Sequence, residues 1–428
     1  MPRISKELQA IKTIFKENGS DQISFATMPK KVVRRLIIHL KSIDDIRQQG
    51  MIDYRMDEII VMTFIATLAM CDTWIEIERF CKERIKFFKK FLKIRNGIPS
   101  HDTFKRVFGL IDPSNFNKVI IDFFLDSLSA LKKALGIKAN DDEYKHLAVD
   151  GKELKGSGRL YKGSNTIRNT QILNVYDNTN EVCLFSKVIS NKTNEIPIAR
   201  EILSELNLKK TVVTFDSIHT QKETINIIAK REGDYIGGLK ANQENLYNDV
   251  VLYFTDEEKN KIINSKHYYE TSEKSHSQIE TRKYYLTTNV NWFFEKDKWA
   301  KLTGFIMYEK SIIKNDKKTL ETRYYITSLK DVKFCAECIR GHWSVENNLH
   351  WQLDYAFKED EQTTIDKNAL ANLSVMKKLA LALINLNRHL FKGDSIRVIR
   401  KRMGWSTETN LNTLLSTIDE GTIINLIK

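Results

Sequence analysis

The sequence predicts a mixed α/β fold preceded by a helical N-terminal region. In the first 140 residues, apolar side chains recur at three- and four-residue intervals, as in MDEIIVMTFIATLAM and FNKVIIDFFLDSLSALKKAL. That period is typical of helices packed on a core. From about Tyr144 the pattern changes to short β-branched runs separated by turn residues, which indicates strands. A chain of 428 residues, 42% of them hydrophobic, suffices for roughly two to four domains.

The order of elements after Tyr144 narrows this fold class. Three strands are followed by a helix, a strand, a helix and a strand: HLAVDG, QILNVYDN, VCLFSKVIS, IPIAREILSEL, TVVTFD, QKETINIIAKREG and DYIGGLK. A three-stranded meander followed by two strand–helix crossovers is the order of a ribonuclease-H-like core, with a mixed five-stranded sheet and flanking helices. In that fold we expect the first and fourth strands to be parallel neighbours.

Composition restricts the protein's class and partners. The formal net charge is +13 and the pI about 9.2, so the surface attracts polyanions such as nucleic acid, although a solvated basic surface explains the charge equally well. The N-terminus lacks the apolar region of a signal peptide, which favours the cytoplasm. The apolar stretch Ile59–Cys71 is shorter than the roughly 20 residues of a membrane span, so we expect a buried helix.

Cysteine usage favours reduced thiols over a disulfide framework, because the chain has five cysteines and no secretion signal. Cys335, Cys338 and His342 have a spacing that zinc sites use. No second cysteine pair accompanies them, and cysteine is an ordinary small apolar residue in helices. We therefore favour a structural role for both cysteines.

Three acidic residues indicate the chemistry. Asp150 and Asp216 each end a short apolar strand, and Glu346 follows on a predicted helix. Carboxylates in this arrangement hold hard divalent cations such as Mg²⁺ or Mn²⁺, and two such ions about 3.5–4 Å apart serve phosphodiester transfer. Lys152 is either the counter-charge of Asp150 or a phosphate contact. The alternative for Asp216 is that it caps the helix after it.

Basic and aromatic residues near these acids are candidate DNA contacts. Helical spacing puts His342, Glu346 and His350 on one face, with Trp343 beside them as a stacking surface. The alternative is a surface helix whose tryptophans pack on the core. In CKERIKFFKKFLK, a single helix would align five lysines that either contact phosphates or form a solvated face, with equal weight: Lys82, Lys86, Lys89, Lys90 and Lys93.

At these residues the chain resembles a known family. HLAVDGKELKGS, TFDSIHTQKETINIIAKREGDYIGGLKANQENL and RGHWSVENNLHWQLDYAFKEDEQTT are similar to the three catalytic blocks of DDE transposases of bacterial insertion sequences. The similarity is strongest to the H-repeat-associated (ISAs-type) branch and extends to GIPSHDTFKRVF in the N-terminal region. It implies a ribonuclease-H-like core, with Asp150, Asp216 and Glu346 as the metal-binding triad and a β-strand insertion before the third acid.

The chain departs from the wider superfamily around Glu346. The tyrosine, arginine and lysine that accompany the glutamate there map onto Ile339, His342 and Leu353. A hairpin intermediate is therefore not carried over, and Arg340, His342 and His350 are candidates to bind DNA instead.

The LKANQ segment matches the branch's own pattern, which implies that Lys240, Asn242 and Gln243 border the active site and contact DNA. The alternative, of equal weight, is that Asn242 caps a helix with Glu244 in its first turn.

The resulting hypothesis is a transposase that binds terminal inverted repeats, cuts the ends with Mg²⁺ and joins the 3′-hydroxyls to target DNA, as a homodimer on two ends. The rival hypotheses are a metal-dependent nuclease without strand transfer and a DNA-binding protein with an inactive core.

We expect four regions: residues 1–140, a helical domain for DNA-end binding or dimerisation; 141–246, the first part of the core; 247–330, a β-rich insertion; and 331–428, the core completion with a basic helical tail.

Overall fold

A single mixed sheet runs through the computed structural model, which describes residues 6–17, 30–138, 143–160, 167–189, 194–275, 278–315, 317–391 and 393–419. The described residues form nine strands in this sheet. They are β1 (Lys145–Leu160), β2 (Ile167–Asp177), β3 (Val182–Ile189), β4 (Thr211–Phe215), β5 (Asp234–Leu239), β6 (Tyr268–Ser275), β7 (Gln278–Thr287), β8 (Gly304–Lys314) and β9 (Lys317–Thr327).

The strand order is β3-β2-β1-β4-β5-β9-β8-β7-β6. β1 is parallel to β4 and β4 to β5, whereas the remaining neighbours are antiparallel. The expectation that the first and fourth strands are parallel neighbours is therefore met. The expectation of a five-stranded sheet is incomplete. β9 pairs with β5, so the four later strands join the same sheet.

The helices lie before, within and after the strand region. They are α1 (Lys6–Glu17), α2 (Lys30–Leu40), α3 (Met56–Leu68), α4 (Trp74–Glu83), α5 (Ile85–Phe88), α6 (His101–Leu110), α7 (Pro113–Ala134), α8 (Glu195–Glu205), α9 (Lys222–Lys230), α10 (Glu244–Tyr253), α11 (Asp256–Ile263), α12 (Val332–Ser344), α13 (Trp351–Phe357), α14 (Lys367–Asn387), α15 (Ile396–Trp405) and α16 (Thr407–Ser416). The helix α10 has Glu244 in its first turn, as the helix alternative for LKANQ expects, whereas α11 lies in a segment predicted to be irregular and strand-like.

Side-chain caps fix where several of these helices begin. Ser100 accepts a hydrogen bond from the backbone N–H of Thr103, so α6 begins at the position where Ser100 or Asp102 was expected to cap it. Thr73 and Glu76 form a reciprocal capping box at the start of α4. These caps satisfy N–H groups that a helix cannot satisfy internally.

The predicted lysine-lined helix is wrong. α4 ends at Glu83, and only the short α5 follows, because the aromatic side chains of Phe87 and Phe88 turn into the core. Two of the five lysines form ion pairs, Lys82 with Glu78 and Lys90 with Glu408. The five lysines therefore do not form one continuous helical face.

The N-terminal helices share one core with the C-terminal region. α3, which contains most of the apolar stretch read as a core helix, is buried from Glu58 to Leu68. The segment Lys367–Phe391, which contains α14, is long and apolar enough to cross a membrane, but 94% of its most apolar window is buried inside the protein. α14 packs on α3, α6 and α7, so it is a core helix of this shared cluster.

Helices cover both faces of the sheet around β1 and β4. On one face, Ile198 of α8 and Ile225 of α9 pack in one cluster with Val213 of β4. On the other face, Cys335 and Ile339 of α12 belong to a cluster with strand residues. This packing holds α12 against the sheet, and it thereby fixes the helical segment that follows α12, in which Glu346 lies.

A fully buried arginine joins the N-terminal helices to the C-terminal ones. The Arg400 guanidinium donates to Asp72 at 2.7 Å and to the Thr67 carbonyl at 2.7 Å. It also lies 3.9 Å from the ring centroid of Phe357. The predicted basic tail SIRVIRKRMGWS forms α15, and Arg400 in it is a structural residue that does not face solvent.

Replacing Arg400 by methionine should lower the free energy of unfolding by about 3–5 kcal/mol, because Asp72 would remain as a buried charge without a counter-ion. Arg402→Met is the matched control on the same helix, since Arg402 is partly exposed and pairs with Asp394 at 2.7 Å. Its expected cost is about 1 kcal/mol or less. Denaturant unfolding measures both, and equal losses would show that the Arg400 pair is not a structural tether.

Candidate active site

The pairing of β1 with β4 brings Asp150 and Asp216 together. Val149 is the last β1 residue paired with β4, and its partner Phe215 is the last residue of β4. Each aspartate directly follows one of these residues. β1 itself continues past Asp150 to Leu160, paired with β2, so Asp150 ends the parallel pairing and not the strand.

Two side chains from the segment that follows β5 hold the turn after Asp216. Asn242 donates a hydrogen bond to the Ser217 carbonyl and Gln243 donates one to the Thr220 carbonyl, both at 2.8 Å. The alternative that Asn242 caps α10 is therefore wrong, because its side chain bonds this turn. The capping alternative for Asp216 is also wrong, since its side chain makes no cap hydrogen bond.

The last turn of α12 places His342, and the π-helical segment Val345–His350 that follows places the third acid and His350. Nδ1 of His342 lies 3.1 Å from Thr214 Oγ1, and its Nε2 lies 3.7 Å from Asp216. His350 Nδ1 lies 3.6 Å from Asp150, whereas Glu346 between the two histidines is exposed. Such π-helical turns within α-helices occur frequently at functional sites.

All three acids line one cavity of about 190 Å³. The cavity's other charged side chains include Lys240, which follows β5, and Arg323 of β9. Tyr325, also of β9, completes this side of the cavity. Sequence reasoning missed Arg323 and Tyr325, because no local pattern marks them and only the pairing of β9 with β5 brings them to the acids.

The electrostatics differ between the two aspartates. Burial raises the pKa of Asp150 to about 6, and the charges of Asp216 and Glu346 act in the same direction. The pKa of Asp216 is lowered, chiefly by the imidazole of His342 and further by the charges of Lys240 and Arg323. Burial and, to a smaller extent, the two neighbouring carboxylates therefore disfavour the charged form of Asp150, which a cation in the cavity would favour.

The histidine beside Asp150 is neutral. The amide nitrogen of Asn174 lies 3.0 Å from Nε2 of His350, so Nε2 accepts and Nδ1 carries the proton that faces Asp150. Burial lowers the pKa of His350 to about 3. Burial likewise lowers the pKa of His146 to about 3, and this ring bonds Thr214 at 2.9 Å behind His342.

Lys152 does not lie where the sequence placed it. Its ammonium is buried and pairs with Glu359 at 2.7 Å and with Asp354. Although burial opposes ionisation of Glu359, the charges of Lys152 and Lys378 lower its pKa. Lys152 thus joins β1 to α13 as a buried ion pair, which corrects its assignment as a counter-charge of Asp150 and as a DNA contact.

The remaining predicted contacts line an adjoining cavity. Arg340 forms a two-point ion pair with Glu273 of β6, at 2.7 and 2.8 Å. The ring of Trp343 lies 4.3 Å from the Arg323 guanidinium, and it borders both the cavity of the acids and a cavity of about 410 Å³ next to it. The aromatic ring is therefore accessible from the site and does not serve only as core packing.

The zinc alternative is not supported by the placement of its residues. Cys335 and Cys338 are buried in the cluster between α12 and the sheet, whereas the His342 ring faces Thr214 and Asp216. All five cysteines are free and buried.

The donor set fits a hydrated divalent cation. Asp150, Asp216 and Glu346 offer only carboxylate oxygens, which are the ligands of Mg²⁺ and Mn²⁺. Within the described ranges, no three acidic, histidine or cysteine side chains are close enough together to hold a metal ion by themselves. Mg²⁺ commonly keeps several waters and binds through one or two carboxylates plus substrate oxygens, so an open site of this kind suits it.

Family models and sequence relatives show which known proteins this chain is similar to. Residues 141–383 match the family described as "Transposase DDE domain", and residues 37–124 match the "DDE_Tnp_1-associated" domain. "Putative transposase YncI" of Escherichia coli O157:H7 is 32% identical over 82% of this chain and 87% of its own length. "H repeat-associated putative transposase YhhI" of Escherichia coli K12 is 30% identical over 86% of this chain and 95% of its own.

Among solved structures, a piggyBac transposase synaptic complex with hairpin DNA aligns over 94% of this chain and 80% of its own, with a TM-score of 0.36 and 10% identity. That similarity is too low to support an inference.

Replacing Asp150 by asparagine should stabilise the metal-free protein at pH 7 by roughly 1–3 kcal/mol and leave it nearly unchanged at pH 4. The folded pKa of Asp150, about 6, lies above the ordinary value of 3.8, so the folded state binds more protons and loses stability as pH rises through this window. Thermal unfolding with and without Mg²⁺ measures this. Wild-type protein should gain stability from Mg²⁺; an equal gain in the variant would contradict a metal-binding role for Asp150.

Proposed function

Because this chain belongs to the family of DDE transposases, of the H-repeat-associated type, we propose that it moves its own insertion sequence by cutting and joining DNA ends. It binds the terminal inverted repeats, cleaves the strands at those ends and joins the freed 3′-hydroxyls to target DNA. The observation that carries this proposal is the convergence of Asp150, Asp216 and Glu346 on one cavity that also contains Lys240 and Arg323.

In this proposal the five strands β3-β2-β1-β4-β5 are a ribonuclease-H-like core, and β6–β9 belong to an insertion that lengthens its sheet. Support comes from the strand order and from the parallel pairing of β1 with β4. The four regions keep the boundaries 1–140, 141–246, 247–330 and 331–428, with the N-terminal helices assigned to DNA-end binding or dimerisation.

The three acids would hold two Mg²⁺ or Mn²⁺ ions, Asp150 and Asp216 sharing one and Glu346 completing the second site. When bound, such ions activate the attacking oxygen and neutralise the phosphate. His350 Nδ1 lies 3.6 Å from Asp150 and His342 Nε2 lies 3.7 Å from Asp216. Each histidine is therefore placed to orient one of the carboxylates when ions are bound.

Lys240 and Arg323 would bind the scissile phosphate. Lys240 is exposed at the cavity and makes no ion pair with an acidic side chain in the described part of the chain. Arg323 lies on β9, where it pairs with the partly exposed Glu321 at 2.5 Å, and Lys240 follows β5, so the two cations approach a bound phosphate from different elements. This pair supplies the positive charge that the sequence lacks at Ile339, His342 and Leu353.

DNA would be attracted to the protein by the net charge of +13 that the chain carries. Trp343 offers a stacking surface beside the acids, and Arg397 and Lys401 of α15 are candidate phosphate contacts. Because two ends must be cut together, we propose a homodimer bound to both ends.

Replacing Asp216 by asparagine should reduce strand cleavage by about 10³-fold or more, because the variant loses a metal-binding charge. DNA binding should persist, since phosphate contacts come from cations elsewhere. Cleavage of a labelled DNA end and a mobility-shift assay measure the two quantities. Asp249→Asn is the control, because Asp249 is an exposed residue of α10 outside the cavity.

The same assay separates the rival functions. Joined products in a plasmid target identify strand transfer, whereas cleavage without joined products identifies a nuclease. An Asp216→Asn variant that cuts at the wild-type rate would contradict the metal role, and DNA binding by wild-type protein without Mg²⁺-dependent cleavage would identify an inactive core.

Replacing Lys240 and Arg323 together by glutamine should weaken DNA binding and reduce its salt dependence by about two phosphate contacts, because both cations bind phosphate. Lys209→Gln is the control, since Lys209 is an exposed residue just before β4, at the opposite end from Asp216. Binding titrations at several salt concentrations measure the slope. An unchanged slope in the double variant would exclude these two residues as phosphate contacts.

A further inference from the structure

Asp150 and Asp216 form the wall between two cavities. The first contains Glu346, as described above. A second, of about 350 Å³, lies on the other side of the same two aspartates and is lined by Gly151, Glu195 and His219 among others. Asp150 and Asp216 are the two residues that line both cavities.

Glu195 brings a fourth carboxylate to the aspartates. It is the first residue of α8, whose start is capped by the Asn194 side chain. A Cβ atom on Gly151 would lie 2.3 Å from Oε2 of Glu195, a distance that real Cβ contacts essentially never show. Gly151 pairs regularly with Leu173 in the sheet, and its missing side chain leaves room for the Glu195 carboxylate directly beside Asp150.

His219 is an independent sign that this second cavity holds a ligand. Its side chain is 2% exposed, and within the described ranges neither ring nitrogen has a hydrogen-bond partner. Nε2 lies 3.8 Å from the Glu195 carboxylate, which is beyond hydrogen-bond distance. A buried polar group left unpaired is unfavourable, so a ligand or water shell in the cavity that pairs with His219 would be stabilising.

The charges of the second cavity select the kind of ligand. Asp150, Asp216 and Glu195 all present carboxylates to it, and the one lysine that lines it, Lys152, is already neutralised by Asp354 and Glu359. A phosphate would be repelled there, whereas a cation would be attracted. The volume of about 350 Å³ has room for an ion with its waters, at about 30 Å³ per water.

We propose that Glu195 and His219 form a subsite that holds a hydrated divalent cation beside Asp150 and Asp216, on the side opposite Glu346. The contacts run through water, since carboxylates accept hydrogen bonds from metal-bound water and a neutral imidazole nitrogen accepts one as well. This inference rests on the proposed function and adds a fourth acid to the three that the family resemblance implies.

The first test is the binding of Mn²⁺ to the full-length protein without DNA, measured by electron paramagnetic resonance and calorimetry. Glu195→Gln should raise the dissociation constant of Mn²⁺ roughly 10-fold, the size of effect seen when outer-shell partners of metals are removed. Glu205→Gln is the matched control, because Glu205 lies on the same helix, is exposed and does not line the cavity. It should bind Mn²⁺ as the wild-type protein does.

The second test uses the contact between Gly151 and Glu195. Gly151→Ala should weaken Mn²⁺ binding in the same direction, because the added methyl group displaces the Glu195 carboxylate. Once Glu195 is replaced by glutamine, the alanine should add little further loss, so the two effects should be non-additive. His219→Phe, which keeps the ring but removes its nitrogens, should also weaken Mn²⁺ binding.

The outcomes separate this inference from the proposed function. If wild-type protein binds Mn²⁺ and cleaves DNA ends while Glu195→Gln binds Mn²⁺ equally well, the subsite is overturned and the transposase function stands. If wild-type protein neither binds Mn²⁺ nor cleaves DNA, the proposed function itself fails. If the subsite exists, Glu195→Gln should need roughly 10-fold more metal than the wild-type protein for half-maximal cleavage. At saturating metal the variant should cleave at the wild-type rate, and its DNA binding should be unchanged. Thermal unfolding verifies that each variant is folded.

Discussion

The parallel pairing of β1 with β4 is the constraint on which the candidate site depends. It ends at Val149 and Phe215, so the residues that follow on both strands must lie side by side. Those residues are Asp150 and Asp216, and holding two carboxylates together is unfavourable unless something compensates them. The surroundings provide part of that compensation through His342, Lys240 and Arg323, whereas the pKa of Asp150 remains raised to about 6. In the proposed function, a cation would stabilise the charged form of this buried carboxylate.

Several elements around Asp150 and Asp216 hold the site together, each through different contacts. α12 packs on the sheet and carries His342, and the π-helical segment after it brings Glu346 and His350 to the same side. The buried pairs of Lys152 with Asp354 and Glu359 tie β1 to α13. On the other side, α8 brings Glu195 against Gly151. Each acid therefore comes from a different element, and their separation is fixed by packing and buried ion pairs instead of by chain continuity.

Local patterns were sufficient for much of the fold. The helical period identified α7 and α9, which each bury one apolar stripe, and short β-branched runs identified β1–β5. The continuous apolar stretch of α3 identified a core helix, because this helix is buried on all sides. The segment after β5 was harder, since α10 and α11 are short and polar. The lysine-rich segment misled for a related reason: Phe87 and Phe88 compete for the core and break the helix that the lysine spacing required.

By itself the sequence determined the family, the enzyme class and the two aspartates. Motif blocks and strand ends are local features, so they can be recognised without knowing the tertiary contacts. Only the tertiary structure decided which other side chains meet the two aspartates. Arg323, Tyr325 and Glu195 are distant in sequence from the acids they approach, and no periodicity records a contact made across a sheet. The tertiary structure also decided that Lys152 is buried in ion pairs, because the fate of a charge depends on the partners that surround it in space.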